Sequence, residues 1–226
     1  MQRSVVYIVA KAPRSGAAKT RLSPMLSTDR AAEVAHGFLL DTLLLARRAR
    51  GVAVRAVCRD ADEARIVRAL GGPSLDVLCQ REPGLGAALE ECFHHGLSDG
   101  YGTVAVLGSD SPTLPAAHIE QAFAALGEHD VAIGPSEDGG YYLLAARATH
   151  PTLFREMIWS TDQVCRATLE RCAAAGLRAT LLAEWYDVDT PACLQRLTRD
   201  LEALPADVAP HTRLTLAEIA FAPMRV

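Results

Sequence analysis

No apolar run among the 226 residues reaches the roughly 18 to 20 that a membrane span needs. The one apolar stretch near the start, Val5 to Ala10, is shorter than the h-region of a secretory signal, and no small-residue cleavage site follows it. It reads as a buried first strand, and the expected compartment is the cytoplasm. A basic excess is lacking too. With 23 Lys+Arg against 27 Asp+Glu the formal net charge is −4, which argues against a nucleic-acid partner. The six cysteines (Cys58, Cys79, Cys92, Cys165, Cys172 and Cys193) include no CxxC pair and no zinc-finger spacing. They read as free thiols, buried or half-buried in apolar or helical contexts. His94 and His95 are the one adjacent histidine pair, and on a helix such neighbours point apart, so no metal site is expected there. Neither GxxxxGK[ST] nor GxGxxG occurs, so two common phosphate-binding loops are excluded.

In their place stands a regular alternation of short β-rich runs and longer helical ones. Strands are expected at Ser4 to Ala10, Val52 to Cys58, Leu75 to Cys79, Thr103 to Leu107, Asp130 to Ile133, Gly140 to Ala145 and Arg178 to Leu182. The run from Gly140 suits an edge strand or a hairpin partner. Helices are expected at Thr28 to Arg50, Ala61 to Leu70, Ala87 to Leu97, Pro115 to Leu126, Gln163 to Ala175 and Pro191 to Leu201. This pattern gives an α/β domain with a mostly parallel sheet flanked by helices. Ligands of such sheets bind beyond the carboxyl ends of the strands, so the loops after the first, fourth and penultimate strands are the places to look. From Leu204 onward, with Pro205, Pro210 and Pro223, the chain reads as a C-terminal extension.

Five segments combine the residue types of phosphate chemistry. Directly after the first strand, Lys11, Arg14, Lys19 and Arg21 stand in eleven residues around Gly16. Such a loop can wrap backbone N–H groups and cations around phosphate oxygens, or it can be a solvated basic loop. At the end of the fourth strand, in Gly108-Ser109-Asp110-Ser111-Pro112, Asp110 is placed either to hold Mg²⁺ beside phosphates or to start a turn. Tyr186-Asp187-Val188-Asp189-Thr190-Pro191 offers two carboxylates that face one side if the segment is extended, with Asp189 or Thr190 also able to cap the helix opened by Pro191. In Gly134 to Tyr142, Glu137 and Asp138 can bond a ligand while Gly139 and Gly140 allow close approach, although Asp-Gly is also a plain turn signal. In Trp159-Ser160-Thr161-Asp162 one of the polar residues is expected to cap the next helix, and the Trp can line a pocket.

Taken in order, K-x-P-x-x-G-x-x-K-T-R-L, G-S-D-S-P-T-L, G-P-S-E-D-G-G-Y-Y-L-L, W-S-T and Y-D-V-D-T-P resemble the DUF2064 family of bacterial glycosyltransferase A proteins, over about Val5 to Leu201. The Lys19 to Ser23 stretch is also similar to 2-phospho-L-lactate guanylyltransferases, and the layout is more distantly similar to molybdenum cofactor guanylyltransferases. The resemblance implies a GT-A-like (nucleotide-diphospho-sugar transferase) fold over residues 1–203, followed by the extension 204–226. It implies that Lys11, Pro13, Gly16, Lys19, Arg21 and Ser109 surround nucleotide phosphates. It places a Mg²⁺ (or Mn²⁺) on Asp110 and Asp189, with Asp187 the weaker choice. It places acceptor or sugar against Glu137, Asp138, Gly139, Gly140, Trp159 and Thr161. Lys19, Arg21 and Asp110 carry the catalytic expectation. The guanylyltransferases lack the E-D-G-G-Y-Y pattern, so their substrate does not carry over. The expected activity is nucleotidyl transfer from a nucleoside triphosphate to a small phosphorylated acceptor. Glycosyl transfer from a nucleotide-diphospho-sugar is the alternative, and a nucleotide-binding module without catalysis is a third reading.

Overall fold

The computed structural model describes residues 3–221, so residues 222–226 of the expected extension lie outside it. Seven strands form one sheet: β1 (Ser4–Val9), β2 (Val52–Cys58), β3 (Asp76–Cys79), β4 (Thr103–Leu107), β5 (Val131–Pro135), β6 (Tyr141–Ala146) and β7 (Ala179–Leu181). Their spatial order is β3-β2-β1-β4-β6-β5-β7. Pairings are parallel except those of β6, which runs antiparallel to both β4 and β5. The Gly140 run is therefore an internal hairpin strand rather than an edge. Because β6 runs backwards, the loop that follows it lies at the far edge of the sheet. The 136–140 loop before it joins the carboxyl ends of the other strands instead, which corrects the choice of the penultimate strand's following loop.

β1, β4 and β6 are buried on both faces, which accounts for their continuous apolar runs. One face packs on α1 (Thr28–Arg48), α2 (Ala61–Gly71) and α4 (Ala117–Ala125), the other on α3 (Leu85–Ser98) and α5 (Val164–Ala174). The helix starts are chemically marked. The side chains of Ser27 and Asp60 accept from the backbone N–H three residues on, of Arg30 and Glu63 respectively. Thr190 likewise caps α6 (Pro191–Ala203), which has proline in its first turn. Cys79 is exposed, unlike the buried or half-buried setting expected of it, because β3 is a short edge strand.

The segment after Leu204 forms a further helix, α7 (Pro210–Phe221), packed on α1. Its first turn is capped from a distance. The buried carboxylate of Asp41 on α1 accepts from the N–H groups of His211 (3.1 Å) and Thr212 (2.7 Å). Asp41→Ala leaves both donors unpaired, the one at Thr212 in a buried place, so a loss of about 1–3 kcal/mol is expected. Denaturant unfolding measures it, and amide exchange should rise first in α7.

Under β6, His118 Nδ1 lies 3.0 Å from the hydroxyl of Tyr142, which donates to the carbonyl of Ala183. Burial holds the His118 imidazole below its usual pKa. The unfolded chain then binds more protons than the native one near and below pH 6.5, so this site costs stability as pH falls through that value. His118→Gln should remove that contribution: between about pH 7 and 5, its melting temperature should fall less steeply than that of the wild type. Parallel acid limbs would remove His118 from the account.

Candidate functional site

The cationic loop is anchored by apolar residues between its charges. Ala17 and Ala18 donate backbone N–H bonds back to Arg14, Gly16 takes a positive φ of 73°, and Lys19 itself sits in the left-handed region (φ 48°, ψ 39°). A single 3₁₀ turn, Thr20–Leu22, follows and buries Leu22 completely. Leu22 packs in one cluster with Phe38, Tyr186 and the fully buried Val188. Shared burial of Leu22 and Val188 thus brings the loop after β1 against the segment after β7. The loop after β4 is tied to the same place, since Val188 N–H donates to the carbonyl of Asp110 at 2.9 Å.

Three charged groups meet there. Lys19 Nζ lies 2.5 Å from Asp110 Oδ1 and 2.7 Å from Asp189 Oδ1, and donates to the carbonyl of Val188 at 2.9 Å. Arg21 approaches the other oxygen of Asp189 at 4.0 Å. Burial pulls the Lys19 ammonium down, but the two carboxylates more than offset this and hold it above the ordinary lysine value. These groups border a cleft of about 430 Å³ at the carboxyl edge of the sheet, which Lys11 and Ser109 also line. Pro13 and Gly16 stand apart from it: Pro13 lines a separate hollow against α1 and α2, and Gly16 is exposed.

Sequence reading missed three polar residues of this cleft, Arg59, Glu63 and Gln80. They follow β2 and β3, which end at the same edge as β1 and β4 because all four are parallel. The edge rule, applied to every strand, points to them.

Asp187 and Asp189 have different partners, contrary to the same-side reading. Asp187 is turned inward, where its carboxylate accepts from the hydroxyls of Ser111 (2.5 Å) and Ser136 (3.0 Å). Burial pushes it up to about 6; the Ser111 hydrogen bond opposes this and nearby Asp110 adds to it. It ties the Asp110 loop to the 136–140 loop.

That 136–140 loop is a tight turn. Asp138 accepts from Gly140 N–H at 2.9 Å, and Ser136 exchanges backbone bonds with Gly139 and Gly140. Glu137 is held in a two-oxygen pair with Arg196 (2.9 and 2.7 Å), facing a hollow beside Trp185 and Tyr186. Trp159 lies elsewhere. It borders a second cleft of about 680 Å³ with Leu85, Gly86, Phe154 and Met157, at the start of α3. Thr161 donates its hydroxyl to the carbonyl of Ile158, closing the turn rather than capping α5. The structure thus unites Lys11, Lys19, Arg21, Ser109, Asp110 and Asp189 in one cleft. Asp138, Gly139 and Gly140, whose loop reaches Asp187 through Ser136, do not line that cleft, and neither do Glu137, Trp159 and Thr161.

The donor set suits a small hard cation. Asp110 and Asp189 converge on one cationic point while each keeps over a third of its side chain exposed to solvent (43% and 35%). Two carboxylates with room for waters and phosphate oxygens are what Mg²⁺ takes beside a nucleotide. No group of three or more His, Cys, Asp or Glu suited to a metal exists among the described residues.

Comparison with known proteins places this arrangement. Residues 42–161 match DUF2064, described as an uncharacterized protein conserved in bacteria. A crystal structure of a candidate nucleotide-diphospho-sugar transferase from Desulfovibrio desulfuricans G20 superimposes with a TM-score of 0.86 at 30% identity, covering 97% of this chain and 98% of that one. CMP:2-keto-3-deoxy-manno-octonic acid synthetase complexed with CTP shares the fold (TM-score 0.55, 19% identity, 89% of this chain and 98% of that one). So does Rv0371c from Mycobacterium tuberculosis H37Rv in complex with manganese (TM-score 0.52, 20% identity, 88% and 98%). No curated protein matches the sequence. The fold is the one the motifs imply, that of the nucleotide-diphospho-sugar transferases.

Proposed function

The chain belongs to the DUF2064 family, and from that premise we propose that it is a metal-dependent nucleotidyltransferase. It would join the nucleoside monophosphate of a triphosphate to a small phosphorylated acceptor and release pyrophosphate. The observation that carries this reading is the meeting of Lys19, Asp110 and Asp189 in a cleft also lined by Lys11, Arg21 and Ser109. That concentration of cations suits a triphosphate better than a sugar diphosphate. An acceptor phosphate oxygen attacks the α-phosphorus, a P–O bond forms, and the bond from that phosphorus to the bridging oxygen breaks. The chain's part is positioning and charge neutralisation. Lys11, Lys19 and Arg21 would hold the phosphate oxygens, Ser109 would donate its hydroxyl to one, and Asp110 and Asp189 would hold Mg²⁺ or Mn²⁺. Such an ion, when bound, supplies Lewis-acid charge at the phosphates. The acceptor lies on the side of Asp138, Gly139 and Gly140; Glu137 and Trp159 border other hollows. The fold relatives that handle CTP and manganese support the assignment of nucleotide and metal classes. We infer a cytoplasmic setting for the reaction from the sequence; no helix among the described residues is long and apolar enough to cross a membrane.

Glycosyl transfer is the second reading, favoured by the similarity to the candidate nucleotide-diphospho-sugar transferase. In it the base would be Asp138, since Glu137 is engaged by Arg196. Incubation with Mg²⁺, the four ribonucleoside triphosphates and a panel of sugar phosphates and phosphorylated hydroxy acids separates the readings. Pyrophosphate release that needs an acceptor supports nucleotidyl transfer. Nucleoside diphosphate released from sugar nucleotides transfers the assignment to glycosyl chemistry, and neither product removes both.

A further inference from the structure

An ammonium group has three N–H donors and no more. Lys19 donates to Asp189 and to the carbonyl of Val188, and its ammonium is also ion-paired with Asp110 Oδ1 at 2.5 Å. Its side chain is 6% exposed, against 43% for Asp110 and 35% for Asp189. The ammonium lies over the face of the Phe38 ring, 5.2 Å from its centroid. The backbone at Lys19 is left-handed and leads straight into the Leu22 anchor, which aims the side chain inward. Lys11 and Arg21, by contrast, are exposed at the cleft.

Two consequences follow from this geometry. Held between two carboxylates and only 6% exposed, Lys19 must leave at least one of them to reach a phosphate oxygen. A divalent ion held by both aspartates needs the point that the ammonium now fills. Both events require the same displacement of one side chain. We infer that Lys19 is a counter-ion lock: it occupies the cation position while no ligand is bound, and a polyphosphate draws it away and so opens the position to the metal. Metal binding and nucleotide binding are then coupled, each strengthening the other by the same factor. This rests on the functional reading above, but the lock itself concerns only the chain and the metal.

Mn²⁺ binding to the full chain, counted from the electron paramagnetic resonance signal of the free ion, tests it. Without nucleotide, Lys19→Met should bind Mn²⁺ at least about tenfold more tightly than the wild type, within the usual span of such couplings. Lys19→Gln, whose neutral amide still donates to a carboxylate, should show the same direction of change and guards against a folding defect in Lys19→Met. Adding Asp110→Asn to either variant should abolish the gain. Wild-type affinity should rise when GTP, CTP, UTP or ATP is present, and that rise should shrink in both Lys19 variants. Equal Mn²⁺ affinity in wild type and both variants overturns the lock, as does a gain that survives Asp110→Asn. A tenfold gain with no nucleotide response in the wild type keeps the lock and removes the nucleotide reading.

Discussion

Asp110→Asn should lower turnover by at least about a hundredfold while leaving the fold intact, a magnitude typical of losing one preorganised charge at a reacting phosphate or oxyanion. The fold is spared because the Asp110 contact that holds the loops together is its backbone carbonyl, which accepts from Val188 N–H and is unchanged in asparagine. The side chain points instead at the cation position and is partly open to the cleft. Asparagine keeps the shape but removes the negative charge that compensates Lys19 or a metal. The measurement is pyrophosphate release with the triphosphate that the substrate panel identifies, paired with a melting curve. Near-native melting with lost turnover is the expected pair. Turnover within about threefold of wild type would remove Asp110 from the chemistry.

Gly139→Ala should cost on the order of 3 kcal/mol and disturb the 136–140 loop and the segment before α5 as a unit. Gly139 has φ +85°, a conformation that strains any residue with a Cβ. There is also no room: an added Cβ would lie 2.1 Å from the carbonyl oxygen of Asp162. Both obstacles are backbone, so no side-chain rotation relieves them. Gly139 further accepts from Cys165 N–H at 2.9 Å, so its displacement loosens the start of α5 together with the Trp159–Asp162 segment. For a domain of this size the melting temperature should fall by about 6–12 °C. A shift of less than about 2 °C would show that the two segments are not locked together in solution.

The architecture was legible because each buried strand is a short apolar run ended by turn residues, and α1, α2 and α6 each start at a residue whose side chain caps them. Ser27, Asp60 and Thr190 are such local signals, visible without tertiary context. What escaped the sequence depends on contacts far along the chain. The helix after Leu204 is capped by Asp41, some 170 residues away, and nothing local announces that partner. Asp187 and Asp189 are neighbours with the same chemistry. Only the placement of Ser111 and Ser136 shows that one is turned into the protein and the other towards Lys19. The cationic loop and the two aspartate segments were recognised one by one from their residue types. Their convergence follows from topology: β1, β4 and β7 end at one edge, and the mutual burial of Leu22 and Val188 closes the remaining gap. Trp159 was legible as a pocket residue, but the pocket it lines is the second cleft, at the start of α3.

The central claim is that Lys19, Arg21, Asp110 and Asp189 surround one polyphosphate–cation cluster. Phosphorus NMR of a bound nucleoside triphosphate, with Mg²⁺ replaced by Mn²⁺, addresses it directly. In the wild type the phosphate resonances should broaden strongly on manganese addition. In an Asp110→Asn, Asp189→Asn double variant at the same occupancy of nucleotide, the protein-dependent part of that broadening should vanish. Triphosphate bound equally well without any divalent ion, or manganese broadening that the double variant retains, would contradict the account.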